Sequence, residues 1–243
     1  MAGGGSRALI GPAIVVLFSM WLPGCAGPSG QGAKAAARAD EKPAPPLGLE
    51  YVPPEPGTYR LPPIAPAAGG AVLDEHSRPR RLEDYMGDRY VLLSFVYTRC
   101  SLPRGCPLAT SVFQMVREES RKDPKLADSL RLVSLSFDPE RDTPTRMQEH
   151  AEALGAEEGS GGEWAFLTTA SRKDLQPILD GYGQYIVPER DSSGRWTGDF
   201  AHVLKVFLID RVGQVRQIYS PSFLHPALVI NDVRTLMMED ASG

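Results

Sequence analysis

A chain of 243 residues, 42% of them hydrophobic, has enough apolar material for one domain of ordinary size plus an extension. Its formal net charge of −4, with no basic cluster and no Arg/Lys-rich helix, argues against nucleic acid as a partner. No internal repeat is visible.

Residues 1–25 read as an export signal. Arg7 supplies a positive start, and Leu9–Leu22 is an apolar run of 14 residues, short of a membrane span. The run ends in Leu22-Pro23-Gly24-Cys25, which resembles a bacterial lipobox, where the cysteine is lipidated and becomes the new N-terminus. Pro23 stands where a small residue is usual. The expected product is an exported lipoprotein of the cell envelope, its domain facing the periplasm or the outer side. Ten of the 22 prolines then fall within residues 26–70, among Ala, Gly and a few charges. Such a segment is expected to be a flexible tether, holding a folded domain of residues 71–243 off the membrane.

Within the domain, Tyr90–Tyr97 is a continuous apolar and β-branched run, as a buried strand requires. Leu108–Ser120 has apolar residues at helical spacing, Leu130–Phe137 is the next strand, and Thr143–Leu154 is a helix with Pro144 at its first position. Trp164–Leu167 is short and strand-like, and Arg172–Leu179 is helical despite Pro177. Val203–Asp210 is a strong strand, and a turn at Gly213 leads to its hairpin partner, Val215–Tyr219. Ala227–Met238 closes the chain as a helix. This order predicts an α/β fold of thioredoxin-like type, a central mixed sheet with helices on both faces.

The stretch richest in chemistry is Val91–Pro107, an apolar strand that ends on Cys100 and Cys106. Pro107 fits the first position of a helix, which places Cys106 at the N-cap. A helix start favours thiolate over thiol, so the pair suits redox work or a soft metal. A plain structural disulfide is the blander reading. It would close a loop of only seven residues beside a helix start and add little stability. Cys-x-x-Cys-His, the haem attachment pattern, is absent, and zinc would want a fourth protein ligand. Thr98 lies two residues before Cys100, where a peroxiredoxin places threonine three before.

The phrases FVYTRC…CP, Ser134–Pro144 (SLSFDPERDTP) and Gly198–Asp210 (GDFAHVLKVFLID) together resemble the Sco/SenC family. The resemblance spans most of Ala71–Met238. It implies a membrane-tethered, thioredoxin-like protein that binds a copper ion and helps to assemble the copper centre of cytochrome c oxidase. Carried over by position, the copper ligands are Cys100, Cys106 and His202. The partner implied is the copper-containing subunit of a respiratory oxidase, or another exported copper protein. One departure stands out: the family usually has three residues between its cysteines, and Ser101–Gly105 makes five here.

The competing reading is a thiol–disulfide oxidoreductase that reduces a partner's cysteines, with Cys100 and Cys106 as its redox-active pair. Thioredoxin-type reductases place a cis-proline before the strand that starts at Val203, where this chain has Asp199-Phe200-Ala201-His202. Around the motifs, Tyr97 and Phe200 are expected to wall the site. Asp138 is read either as orienting a ligand or as capping a turn. Asp142 and Thr143 are read as a helix start, and His76, His150 and His225 as solvated. The anchor has a direct test: cells labelled with a radioactive fatty acid should mark the wild-type chain but not Cys25→Ala. Equal labelling and membrane retention of the two would contradict lipidation.

Overall fold

The computed structural model describes residues 48–156 and 162–242. The expected signal segment, Cys25 and the tether up to residue 47 lie outside the described residues. Among the described residues no helix is long and apolar enough to cross a membrane.

In chain order the elements are β1 (Ala65–Pro66), β2 (Ala71–Asp74), β3 (Pro79–Arg81), a 3-10 turn (Leu82–Tyr85), β4 (Tyr90–Val96), α1 (Cys106–Ser120), α2 (Pro124–Ser129), β5 (Leu130–Ser136), α3 (Pro144–Ala153) and β6 (Glu163–Thr168). They continue with α4 (Arg172–Gly181), β7 (Ile186–Arg190), β8 (Trp196–His202), β9 (Val206–Ile209), β10 (Gln214–Tyr219) and α5 (Pro226–Ser242). Eight strands form one sheet in the order β1-β10-β9-β4-β5-β6-β2-β3, and β7 and β8 make a separate antiparallel ribbon. β4, β5 and β6 run parallel, while β9 pairs antiparallel with β4. The α/β, thioredoxin-like order expected from the sequence is the one observed.

Every residue of β4 and of β5 is buried, and apart from Arg131 and three serines both faces of these strands are apolar, as suits parallel strands covered on both sides. Alternation then divides the core in two. Tyr90, Leu92, Leu130 and Leu132 face α1, α3 and α5, with Phe113, Met147 and Val233. Val91, Leu93, Phe95, Val133 and Leu135 face α4, with Leu175 and Ile178. Pro107, Pro124 and Pro144 each sit in the first turn of a helix, where a missing N–H costs nothing.

Three sequence expectations are corrected. The tether does not extend to residue 70: residues 57–67 form a strap packed on the domain. Leu61 is buried in the core, Tyr59 donates to Asp232 at 2.7 Å, and β1 pairs with β10. Proline-rich composition is compatible with this because an extended strap needs few backbone donors. Second, the strand expected over Val203–Asp210 is only Val206–Ile209; His202 instead ends β8, in the ribbon. Third, His150 is not solvated: it is half-buried, its ring 5.9 Å from that of Phe166 in an edge-on arrangement, and burial lowers its pKa.

If the strap is part of the fold, Leu61→Ala should lower the unfolding free energy by about 2 kcal/mol, at the low end for a buried leucine near an edge. A urea titration of the full chain checks this. A midpoint equal to wild type would return these residues to the role of a dispensable linker.

Candidate metal centre

β4 delivers the chain to Tyr97, and a turn bonded from Cys100 N–H to the Tyr97 carbonyl (3.2 Å) brings Cys100 back over the strand end. The loop Ser101–Gly105 closes with a second turn, from Gly105 N–H to the Leu102 carbonyl at 2.8 Å. Gly105 is the N-cap of α1, so Cys106 is the first helical residue, one place further in than the sequence implied. Gly105 also solves a packing problem. A Cβ there would stand 3.1 Å from Cys100 Sγ, so any larger residue would push the first sulfur away. The two inserted residues are therefore folded into consecutive tight turns and leave the cysteines adjacent.

His202 arrives from the other side, at the end of β8. Its Nδ1 lies 3.2 Å from the Phe200 carbonyl and its Nε2 lies 3.9 Å from Cys106 Sγ. With the proton on Nδ1, the lone pair of Nε2 faces the sulfur. The imidazole packs edge-on to Tyr97 (5.9 Å) and tilted against Phe137 (5.0 Å), and Phe200 packs edge-on to both of those rings. Tyr97 and Phe200 thus wall the site, as expected. Cys100 Sγ, Cys106 Sγ and a His202 nitrogen all lie within 4.8 Å of one another, the only such donor group among the described residues.

Both cysteines are free thiols. The Cys106 thiol donates toward Cys100, and this bond is the main reason the Cys100 thiol is pulled down to about 5. Burial opposes the shift; the N–H groups of Cys106 and Leu102 and the Tyr97 hydroxyl reinforce it. Cys106, deeper in the protein, is pushed up by the shared proton first and by burial second. Burial and the neighbouring Cys100 also push the Tyr97 hydroxyl up, which keeps it protonated and able to donate. The resting dithiol is thus one thiolate, half-exposed, and one buried thiol. Two soft sulfurs and one imidazole nitrogen make a trigonal donor set of the kind that suits Cu(I).

Asp138, expected either to orient a ligand or to cap a turn, makes no direct bond to Cys100, Cys106 or His202; its carboxylate pairs with arginine instead. It is buried at the end of β5 and paired to Arg141, while its N–H donates to Ser136 Oγ at 3.0 Å. Asp142 does not start the helix; Thr143 does, its Oγ1 accepting from Arg146 N–H. Asp142 instead accepts from Thr98 N–H, Thr98 Oγ1 and Ser136 Oγ, a role the sequence reading missed. Its signal was present in the phrase Asp-Thr-Pro, where Pro144 had already fixed the helix start and left the carboxylate free. His225 accepts from Ala227 N–H at 3.2 Å, His76 is exposed, and His150 lines a 260 Å³ hollow beside the thiols without joining the donor group.

The SCO1/SenC family model matches residues 71–238. Among solved structures, ScoI of Arabidopsis thaliana with copper bound superimposes with a TM-score of 0.59 at 15% identity, over 72% of this chain and 99% of that one. A SCO1/SenC family lipoprotein of Bacillus anthracis gives 0.56 at 22% identity, over 71% and 95%. BsSco, described as a cytochrome c oxidase assembly protein with a disulfide switch, gives 0.53 at 19% identity, over 71% and 94%. No curated protein sequence matches the chain.

The shared proton has a measurable signature. In the metal-free chain, alkylation of Cys100 by iodoacetamide should run near its full rate at neutral pH and fall only as pH drops through about 5, because the thiolate is the nucleophile. Cys106→Ala removes the donor, so the inflection should move upward. An inflection in the ordinary thiol range for both proteins would show that the two sulfurs do not share a proton.

Proposed function

The chain belongs to the SCO1/SenC family, and from that premise we propose that it is a copper carrier tethered to the cell-envelope membrane through lipid on Cys25. In this reading Cys100, Cys106 and His202 hold one copper ion and pass it to the copper-containing subunit of a respiratory oxidase or to another exported copper protein. The observation that carries the reading is the convergence of two sulfurs and one imidazole nitrogen within 4.8 Å, at the end of a strand and the start of a helix. The copper-bound Arabidopsis protein and the oxidase-assembly role of BsSco support the choice of metal and partner.

The chain's own residues set the course of loading and release. Cys100 is ready as a thiolate, and Cys106 must lose its proton when copper arrives, so one proton leaves for each ion bound. His202 contributes Nε2 while the Phe200 carbonyl fixes its ring. Cys100 is the more exposed of the two sulfurs, so a partner's thiolate or imidazole displaces it first. Protonation of Cys106 then helps release. Cu(I) passes between ligand sets with no change in electron count. In the alternative, the reduced pair would give two electrons and two protons to a partner disulfide, becoming a disulfide itself as the partner's two thiols form. That is the oxidoreductase reading, and it draws on the same low thiol pKa and on the disulfide switch of BsSco.

X-ray absorption on the reduced, copper-loaded chain should find sulfur in the first shell, and Cys100→Ser should reduce that shell. A spectrum without sulfur would remove the ligand assignment. To separate delivery from reduction, copper-centre assembly is compared in cells carrying His202→Ala or Cys100→Ser. Loss in both supports delivery; full assembly with His202→Ala alone would favour the reductase, since only the dithiol would then be needed.

A further inference from the structure

Resting on the copper reading above, we propose that Arg141 is the positioning residue for His202: it clips the β7–β8 ribbon to the end of β5 and so sets where the imidazole stands relative to the two sulfurs. The ribbon needs such a clip because it shares no ladder with the eight-stranded sheet. Cys100 and Cys106 are fixed by β4 and α1, whereas His202 rides on a two-stranded appendage, a unit that is marginal without outside support.

Arg141 spans the gap between the two. Its Nε donates to Asp138 Oδ2, on the core side, and its Nη2 donates to the Gly198 carbonyl of β8 at 2.7 Å. Its guanidinium carbon lies 4.4 Å from the centre of the Trp196 ring and 5.6 Å from that of Phe200. Gly198 has φ +99°, a backbone that disfavours side chains, and an added Cβ would come within 3.4 Å of Arg141 Nη1. Arg172 completes the seat, 5.4 Å from the Phe200 ring. From Phe200 the path to the imidazole is short: its carbonyl contacts His202 Nδ1, and its ring packs on Tyr97 and Phe137, which flank the imidazole.

The foot of the clip is costly in itself. Asp138 is 1% exposed, and its Oδ1 has no hydrogen-bond partner. Desolvation raises its pKa, with Arg141 as the main opposing influence. A buried ion pair of this kind contributes little net stability, and its best-attested use is to specify geometry. The fork of Arg141 provides that here: one side chain fixes a carboxylate, a carbonyl and two aromatic faces at once.

The test is a double-mutant cycle on Cu(I) affinity, measured on the full reduced chain by competition with a chromogenic chelator. Arg141→Ala should weaken binding about 10-fold, as loss of a residue that orients a ligand does. In the His202→Ala background the same change should cause no further loss, because the imidazole it positions is gone. Arg141→Lys keeps a charge for Asp138 and so protects the fold, but lacks the fork; it should show the same loss. Hydrogen exchange of residues 196–202 in the metal-free protein should quicken in both single variants. Unchanged affinity in Arg141→Ala and Arg141→Lys, or an equal loss with and without His202, would overturn the clip and leave the copper reading intact. Binding by His202→Ala as tight as wild type would instead overturn the ligand set, and this proposal with it.

Discussion

The carboxylate of Asp142 is the constraint on which the metal end of the fold depends. It is 1% exposed and accepts three hydrogen bonds, from Thr98 N–H at 3.0 Å and from the hydroxyls of Thr98 and Ser136 at 2.6 Å each. A carboxylate buried this deeply is tolerable only with its lone pairs engaged. The engagement ties the last residues of β4 to those of β5, at the point where β4 turns into the cysteine loop. Ser136 Oγ also accepts from Asp138 N–H, so the path that leads to Arg141 begins at the same knot.

From that knot the site is assembled from two parts of different stiffness. The cysteines belong to the part held by a parallel ladder, a helix start and two tight turns. The histidine belongs to a ribbon held by aromatic packing and by arginine. On the copper reading proposed above, the two sulfurs sit on the part with more backbone ties and the imidazole on the part with fewer.

What was legible in the sequence follows from how strongly each segment's pattern answers to burial. β4, β5 and the first turns of α1 and α3 were readable because unbroken apolar runs and N-terminal prolines leave few alternatives. The cysteine pair was readable for the same reason, since strand and helix meet around it. The β7–β8 ribbon was not: Ile186–Arg190 and Trp196–His202 bury only Phe200 fully, so no period of two stands out. His202 was consequently placed ahead of β9 rather than on a separate hairpin. The strap was misread because proline dominated its composition, while its anchorage rests on the side chains of Tyr59 and Leu61 and on the backbone pairing of β1 with β10, none of which composition reveals. Asp142 was misjudged because an acidic residue before Thr-Pro is so often a cap, although Pro144 fixes Thr143 as the cap and leaves the carboxylate of Asp142 free to bond Thr98.

The course of the strap bears on direction of approach. β1 lies beside Val215, at the end of the sheet remote from the thiols, and the preceding residues run back along β10 and α5. By Gly48 the backbone stands close to His225, past Tyr219, whose pairing with Val206 and thence Ser94 marks the end where β4 hands over to the cysteine loop. The first described residues of the chain therefore stand at the pole of the domain where the sulfurs open, on the side from which the cysteine loop is reached.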